Sequence, residues 1–372
     1  MLHPNSTLIL LLLAALSLSA CQPIRPRVQT LSTAVTPPAA VASTTAHGGE
    51  VELGITADQI TSQALAGNLL GDPATRQFNV ILPPDYATVE THYPVVYVLH
   101  AYDSDENSLP WDLKAAMEAL LKTGAVGEMI LVFPDASNAL RGSMYLSSPT
   151  IGDYATYIAQ ELVDYVDSHY RTLPQSESRG ITGCWNGGDG ALHLALRYPT
   201  IFSVVAPYSA VYDWAQDPML TAGAMSFRRE PQNRREFSTM ADTTQTWIAY
   251  AAGAAANPDK PPFYLDMPFT LVDGKGQAVP EVIAKIVAAD PVHDLETYLS
   301  QSERLRAILL YHGVNDFYAP IKLARAFAGL LDEKGIAYDR AEVMLGNCKE
   351  SPDYAPVLKF MSDNLVFEEP AP

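Results

Sequence analysis

Short apolar runs alternate with longer amphipathic segments from about residue 51 onward, a pattern typical of a mostly parallel α/β sheet. The apolar runs are bounded by turn residues and predict seven strands, at 77–82, 95–100, 129–133, 180–183, 202–207, 307–312 and 341–344. Helical periodicity between them predicts helices that include 154–168, 190–198 and 321–334. One doubly wound domain from about 51 to 367 accommodates these elements, with 368–372 as a tail.

One connection, from about 213 to 299, is too long to be a simple loop. It contains a cluster of arginines, an Ala-rich helical segment near 246–256 and a Pro-rich break at 258–262. We expect an insertion over the carboxyl ends of the strands, which would form a lid rather than a second domain.

The N-terminus has the pattern of a secretory leader. The run from Leu8 to Leu18 is almost unbroken in its apolar character but is half as long as a membrane span. It is followed by Ser19, Ala20 and Cys21, which resemble the lipobox of bacterial lipoproteins. The resemblance implies that 1–20 are a signal peptide and that Cys21 is diacylated at an extracytoplasmic membrane face. The alternative is an ordinary cleaved signal, because no Lys or Arg precedes the apolar run.

Residues 21–50 contain the lipidated cysteine and a Pro-, Thr- and Ala-rich stretch that is nearly free of aromatic residues. Such a composition cannot bury enough apolar surface to fold. We interpret it as a spacer between the lipid and the domain.

Composition excludes several function classes. With 24 Lys and Arg against 42 Asp and Glu, the formal charge is -18, the wrong sign for binding nucleic acid. Three cysteines are too few for a disulfide scaffold or a four-ligand zinc site, and neither CxxC nor HExxH occurs. We therefore expect no metal and no cofactor, and membrane contact only through the lipid anchor.

The most specific motif is the run at 179–199, R-G-I-T-G-C-W-N-G-G-D-G-A-L-H-L-A-L-R-Y-P. It predicts a strand, a glycine-rich turn and an amphipathic helix that proline ends. Gly183 and Gly187 have the spacing of a nucleophile elbow, where small residues let strand and helix backbones approach closely.

From about 60 to 367 the chain resembles the esterase family of α/β-hydrolases, which includes esterase D, S-formylglutathione hydrolase and feruloyl-esterase-like proteins. Besides the elbow, the motifs that carry the resemblance are A-L-x-G-N-L-L-G-D-P at 64–73, V-I-L-P-P-D-Y at 80–86, Y-P-V-V-Y-V-L-H at 93–100, V-F-P-D at 132–135, G-S-M-Y at 142–145 and Y-H-G-x-x-D at 311–316. The resemblance implies an α/β-hydrolase fold and ester hydrolysis by a Ser-His-Asp triad.

Two of the three triad positions hold other residues. Trp185 stands where the family has its serine, and indole has no nucleophilic oxygen or sulfur. Cys348 stands where the family has its histidine, and none of the eight histidines follows Asp316. Asp316 matches the acid, although a structural turn aspartate is an equally good interpretation. We therefore expect no intact catalytic triad.

Other reactive side chains nearby do not restore one. If Cys184 were the nucleophile, Thr182 and Asn186 would occupy the positions where the elbow needs glycine. His193 shares a helix face with leucines and is expected in the core or at an interface, while His312 is expected in a polar network at a strand end. Because Cys184 precedes the apex of the turn, we expect its side chain to point away and both Cys184 and Cys348 to be free thiols.

The cleft itself is predicted to bind a ligand. Trp185, Tyr102 and Tyr145, with Trp111 as a further candidate, would form an aromatic platform for a sugar face or an acyl chain. The remaining predicted ligand-binding residues are His100, Ala101 and Asn186. We expect a pseudo-esterase that binds a glycan or an acylated small molecule. The alternatives are simple drift after loss of activity and an active ester hydrolase with an unidentified nucleophile.

Overall fold

The computed structural model describes residues 50–344, 347–348 and 353–368. The predicted signal peptide, Cys21 and nearly all of the predicted spacer lie outside these residues. No helix in the described ranges is both long and apolar enough to cross a membrane.

The described strands form one eight-stranded central sheet and two short hairpins. The sheet has the order β1-β2-β4-β3-β7-β8-β11-β12. Its two pairings at one edge, β1 with β2 and β2 with β4, are antiparallel, and the others are parallel. The eight strands are β1 (Ile55–Thr61), β2 (Thr75–Ile81), β3 (Val95–Leu99), β4 (Ile130–Pro134), β7 (Arg179–Cys184), β8 (Val204–Tyr208), β11 (Ala307–Gly313) and β12 (Asp339–Val343). The hairpins are β5 (Ser147–Ser148) with β6 (Gly152–Asp153), and β9 (Phe269–Val272) with β10 (Lys275–Ala278).

All seven predicted strands are confirmed, with ends that shift by a few residues. The strand that the pattern did not predict is β1, whose sequence I-T-A-D-Q-I-T is mostly polar. It pairs only with β2 at the sheet edge, and none of its residues is fully buried. An edge strand without a buried face carries little hydrophobic signal.

Helices cover both faces of the sheet. The described helices are α1 (Pro110–Thr123), α2 (Tyr154–Thr156), α3 (Val163–His169), α4 (Asn186–Arg197), α5 (Pro218–Ser226), α6 (Arg234–Phe237), α7 (Asp242–Ala254), α8 (Pro280–Val287), α9 (Pro291–Ser300), α10 (Ile321–Lys334) and α11 (Ala355–Asn364). The predicted helix at 154–168 is α2 and α3 joined by a π-helical segment, Tyr157–Leu162. The predicted helix at 190–198 begins earlier, as α4, because Gly187 and Gly188 belong to its first turn.

Between β8 and β11 the chain forms α5 to α9 and the β9–β10 hairpin. Helix α7 is largely buried, and α5 packs against it. Helix α9 packs against α4, the helix that follows the elbow. This segment therefore covers the helix that begins at the predicted active-site turn.

The prediction that Cys184 and Cys348 are free thiols is wrong. The structure joins them in a disulfide with a Cα–Cα distance of 5.5 Å. Cys184 is the last residue of β7, and its fully buried side chain joins the apolar core that includes residues of α1 and α11. Cys348 lies in the same core, so alternation along β7 turns the Cys184 side chain toward the Cys348 loop rather than away from it.

Candidate active site

The turn between β7 and α4 has the strained backbone of a nucleophile elbow. Trp185, at its apex, has φ 48° and ψ -113°, a region that costs a residue with a side chain about 1–3 kcal/mol. A Cβ on Gly183 would overlap the carbonyl of Gly187, and one on Gly187 would overlap the carbonyl of Leu99. The two glycines therefore fix how closely β7, β3 and α4 approach.

The indole of Trp185 is hydrogen-bonded to Asp316, the aspartate at the family's acid position. Its Nε1–H donates to Asp316 Oδ2 at 2.9 Å. The other oxygen of Asp316 accepts backbone N–H bonds from Tyr318 at 2.9 Å and Ala319 at 3.1 Å. Both carboxylate oxygens are thus occupied, one of them by the residue that replaces the nucleophile.

Cys348, at the position of the family's histidine, is part of a disulfide. The Cys348 sulfur is bonded to Cys184, whose Cα is adjacent in the chain to the elbow apex. Neither sulfur is a thiol in this structure, so neither can act as a nucleophile or accept a proton. The disulfide places Cys348 next to the elbow.

A cavity of about 310 Å³ opens beside the elbow. Three aromatic rings, three carboxyl groups and one guanidinium contribute to its lining. The lining residues are Tyr102, Asp103, Arg141, Trp185, Asn186, Val211, Asp217, Met219, Asp242, Thr243, Thr246 and Tyr318. The Trp185 and Tyr318 rings pack together with their centroids 5.0 Å apart.

One wall of the cavity is an ionic network around Arg141. Its guanidinium pairs with Asp103, bonds Asp242 at 2.9 Å and donates to Gln245 Oε1 at 2.8 Å. The hydrogen bond with Asp103 raises the pKa of Arg141 above its usual range. The guanidinium also lies 5.6 Å from the ring centroid of Tyr102. Arg141 is therefore held in place before any ligand arrives.

Asp217 supplies a carboxyl group on another wall. It is the N-cap of α5, and its Oδ1 accepts the backbone N–H of Met219 at 2.8 Å. The residue is only 7% exposed, and burial raises the pKa of its carboxyl to about 6. Sequence reasoning missed it because Asp followed by Pro is the ordinary signal for a helix start.

Asp189, also missed, ties α4 to the segment after β8. Its Oδ1 accepts backbone N–H groups from Val211 at 2.7 Å and Tyr212 at 3.2 Å, and its Oδ2 accepts the indole N–H of Trp214 at 3.3 Å. Burial raises the pKa of Asp189 to about 7. In the sequence, its position two residues after Gly187 was the only indication that Asp189 has a role. Asp189 stabilises the structure and does not line the cavity.

The predicted ligand-binding residues divide between the cavity and the core beside it. Tyr102, Trp185 and Asn186 line the cavity, and Asn186 Nδ2 donates to the Tyr250 hydroxyl at 2.6 Å. His100, Ala101 and Tyr145 are buried and do not line this cavity, but they line an adjacent recess of about 10 Å³. The predicted platform is therefore corrected: Trp111 is 68% exposed and outside the cavity, and Tyr318 takes the place of Tyr145 beside Trp185.

His100 has a structural role. Its Nε2 accepts the backbone N–H of Ala136 at 2.9 Å, so Nδ1–H donates to the Ala101 carbonyl at 2.9 Å. Burial lowers the pKa of His100, which keeps the ring neutral. The Tyr145 hydroxyl in turn donates to the His100 carbonyl at 2.6 Å.

The other two histidines considered are also in the core. His193 Nδ1 lies 2.5 Å from Asp294 Oδ2, and Arg197 bonds the other oxygen of Asp294. His312 Nε2 donates to the Ala319 carbonyl at 2.6 Å, and burial lowers its pKa. None of these histidines lines the 310 Å³ cavity.

Among the described residues no group of three His, Cys, Asp or Glu could hold a metal ion.

The chain is similar to proteins of known family. A family model described as "Putative esterase" matches residues 73–263, which include the elbow, the Arg141 network and Asp217. The chain belongs to this esterase family. The strained turn and its two glycines are thus the family's elbow, built here around a tryptophan.

Among curated relatives, Esterase Rv1288 of Mycobacterium tuberculosis is 30% identical over 133 residues, which are 35% of this chain and 28% of the relative. The match therefore spans little more than a quarter of that relative's length. A solved ferulic acid esterase covers 85% of this chain and 99% of its own, with TM-score 0.53 and 18% identity. The S-formylglutathione hydrolase of Staphylococcus aureus covers 84% and 99%, with TM-score 0.53 and 15% identity. These structures share the α/β-hydrolase fold with this esterase-family chain.

Proposed function

We propose that this esterase-family protein binds a small molecule or a glycan in the cleft beside the elbow and does not hydrolyse esters through a serine triad. The observation that carries the proposal is the bond from Trp185 Nε1 to Asp316 Oδ2. It joins the nucleophile and acid positions directly, so the acid has no base to orient.

The replacement of serine by Trp185 does not by itself exclude a triad built from other side chains. The contacts of the neighbouring side chains argue against such a triad. Asp316 has partners on both oxygens, Cys348 is bonded to Cys184, and the nearby histidines are committed to backbone or carboxylate partners. Loss of a single triad member costs an enzyme on the order of 10⁴-fold or more in rate.

The ligand class follows from the cavity. Its volume of about 310 Å³ lies at the lower end of the range for small-molecule sites. Trp185, Tyr318 and Tyr102 offer ring surfaces suited to a sugar face or an acyl chain, and the polar side chains between them can fix orientation. A glycan or an acylated small molecule satisfies both features.

The alternative is ester hydrolysis by a non-standard group. It is favoured by the name of the M. tuberculosis relative and by two hydroxyl groups in the lining, those of Thr243 and Thr246. The Thr246 hydroxyl already donates to the Asp242 carbonyl at 2.8 Å. An active hydroxyl would label stoichiometrically with a fluorophosphonate probe, whereas a binding cleft would not.

Binding is tested with the matched variants Trp185→Ala and Trp111→Ala. Trp111 is an exposed tryptophan outside the cavity, so both variants lose one indole but only the first changes the cleft. Neutral oligosaccharides and acylated small molecules are titrated against each protein, with intrinsic fluorescence as the readout. We expect a response that Trp185→Ala abolishes and Trp111→Ala retains. Loss of the response in both variants, or in neither, contradicts the proposal.

We also propose that Cys21 anchors the domain at an extracytoplasmic membrane face, with the segment up to residue 50 as a spacer. The proposal rests on the lipobox-like run before Cys21. Full-length protein should partition into detergent and carry a diacylglycerol mass on Cys21, and Cys21→Ala should move it to the aqueous phase. A wild-type protein found in the aqueous phase without that mass contradicts the anchor.

A further inference from the structure

The cavity has an excess of negative charge close to its aromatic rings. Asp103, Asp217 and Asp242 line it, while Arg141 is its only cationic lining residue among those described. When all four groups are ionised, the lining has two more negative than positive charges. Arg141 is held by Asp103 and Asp242, and within the described residues Asp217 forms no ion pair.

Asp217 has an acceptor that the protein does not use. Its Oδ1 caps α5, but among the described residues its Oδ2 has no hydrogen-bond partner. The side chain is more than nine-tenths buried and lines the cavity. A carboxylate oxygen that lines a cavity and has no protein donor is available to a ligand, and a donor with a positive charge makes the stronger hydrogen bond to it.

The rings beside the elbow favour the same kind of ligand. Trp185 and Tyr318 line the cavity, and indole is the best aromatic partner for a cation. The Trp185 N–H donates to the Asp316 carboxylate, an anion that makes the indole ring more attractive to positive charge. The formal charge of -18 on the whole chain adds attraction at longer range.

We propose that the cleft recognises an organic ammonium group that carries N–H donors, bound between the free oxygen of Asp217 and the rings of Trp185 and Tyr318. This inference rests on the proposed function, since it names the group by which the cleft holds its ligand. An amino sugar with a free amine contains such a group, and so does an acylated molecule that carries a separate, unacylated amine. A carboxylate or phosphate ligand is disfavoured, because Arg141 is already neutralised.

Three probes that share a benzyl group separate charge from hydrogen bonding. Benzylamine has a positive charge and N–H donors, benzyltrimethylammonium has the charge but no donor, and benzyl alcohol has a donor but no charge. Each is titrated calorimetrically into the wild-type protein at pH 8, where the Asp217 carboxyl is ionised. We expect benzylamine to bind at least about tenfold more tightly than benzyl alcohol, with benzyltrimethylammonium between them. Equal affinity for benzylamine and benzyl alcohol overturns the proposal.

Asp217→Asn supplies the protein side of the test, because asparagine is an equally good N-cap and keeps α5 in place. It should weaken benzylamine about tenfold or more and leave benzyl alcohol unchanged. Asp213→Asn is the matched control, since Asp213 also caps a short helix but does not line the cavity. A loss of benzylamine affinity in Asp213→Asn equal to that in Asp217→Asn, or no loss in either, overturns the assignment to Asp217.

Failure of this inference differs from failure of the proposed function. If neutral glycans or acylated molecules give the Trp185-dependent response while benzylamine has no advantage, the cleft binds ligands but does not select ammonium. If ester turnover and stoichiometric fluorophosphonate labelling occur, the proposed function itself fails.

Discussion

The two walls of the cleft are built in different ways. The wall formed by Trp185 and Tyr318 stands on the elbow, and Asp316, with its backbone donors, and a buried disulfide lie behind it. The opposite wall depends on ion pairs of Arg141 with Asp103 and Asp242, whose side chains are 51% and 82% exposed. Water and salt weaken the second kind of contact but not the first.

The contacts near the elbow therefore maintain the shape of the cleft, whereas the exposed charges around Arg141 can alter which ligand it prefers. Buried groups near the elbow cannot change without loss of stability, because each removal leaves an unsatisfied donor or a cavity. Exposed charges on the opposite wall can change at small cost.

The largest expected effect is at Asp189, which is buried in the helix that follows the elbow. Asp189→Ala leaves the Val211 and Tyr212 backbone N–H groups and the Trp214 indole N–H buried without their acceptor. We expect the free energy of unfolding to fall by about 3 kcal/mol or more in urea denaturation. Asp103→Ala, on the exposed wall, should cost less than about 1 kcal/mol, and an equal cost would remove the distinction between the walls.

The disulfide behind the elbow is expected to rank next. It closes a loop with a sequence separation of 164 residues, and its loss should lower the free energy of unfolding by about 2–4 kcal/mol. The comparison is between wild type and the Cys184→Ser/Cys348→Ser variant, each with and without reductant. Reductant should lower the Tm of the wild type alone. If it lowers neither or both, the bond is not the source of the stability.

A smaller, pH-dependent effect is expected at Asp217. Burial raises the pKa of its carboxyl from 3.8 to about 6, so the folded state binds its proton more tightly than the unfolded state does. The ionised side chain therefore destabilises the fold increasingly as pH rises from about 4 to 6, and fully above that range. Asp217→Asn should be more stable than wild type by about 1–3 kcal/mol at pH 8 and lose most of this gain at pH 4. A gain that is the same at both values would contradict the cause.

The smallest effect is expected at Asp242, on the exposed wall. Asp242→Ala removes one ion pair of Arg141 but leaves the pair with Asp103. The free energy of unfolding should change by less than about 0.5 kcal/mol at low ionic strength and by nothing measurable in 1 M NaCl. A larger change that resists salt would show that this wall is as tightly built as the other.

The elbow could be predicted from sequence because its requirements are local. Gly183 and Gly187 at fixed spacing, after an apolar run and before an amphipathic segment, specify the turn wherever it occurs. The seven main strands were predictable for the same reason, since each is a short buried run between turn residues. The exposed strand β1 had no such signal.

The rest of the site depends on contacts between distant segments. Tyr318 reaches Trp185, and Asp217 reaches the cavity, only because the segments after β11 and β8 return to the elbow. The pairing of Cys184 with Cys348 depends on which way one side chain points at the end of β7. These features are set by packing, which single-sequence patterns do not encode.

An assay of the purified wild-type protein decides most directly whether the cleft binds ligands without triad hydrolysis. The protein is incubated with short-chain aryl esters and, separately, with a fluorophosphonate probe, and turnover and labelling stoichiometry are measured. We expect hydrolysis no faster than buffer and no stoichiometric label, because Trp185 has no nucleophilic atom and its indole N–H occupies Asp316. Saturable ester turnover with one label per chain would contradict it.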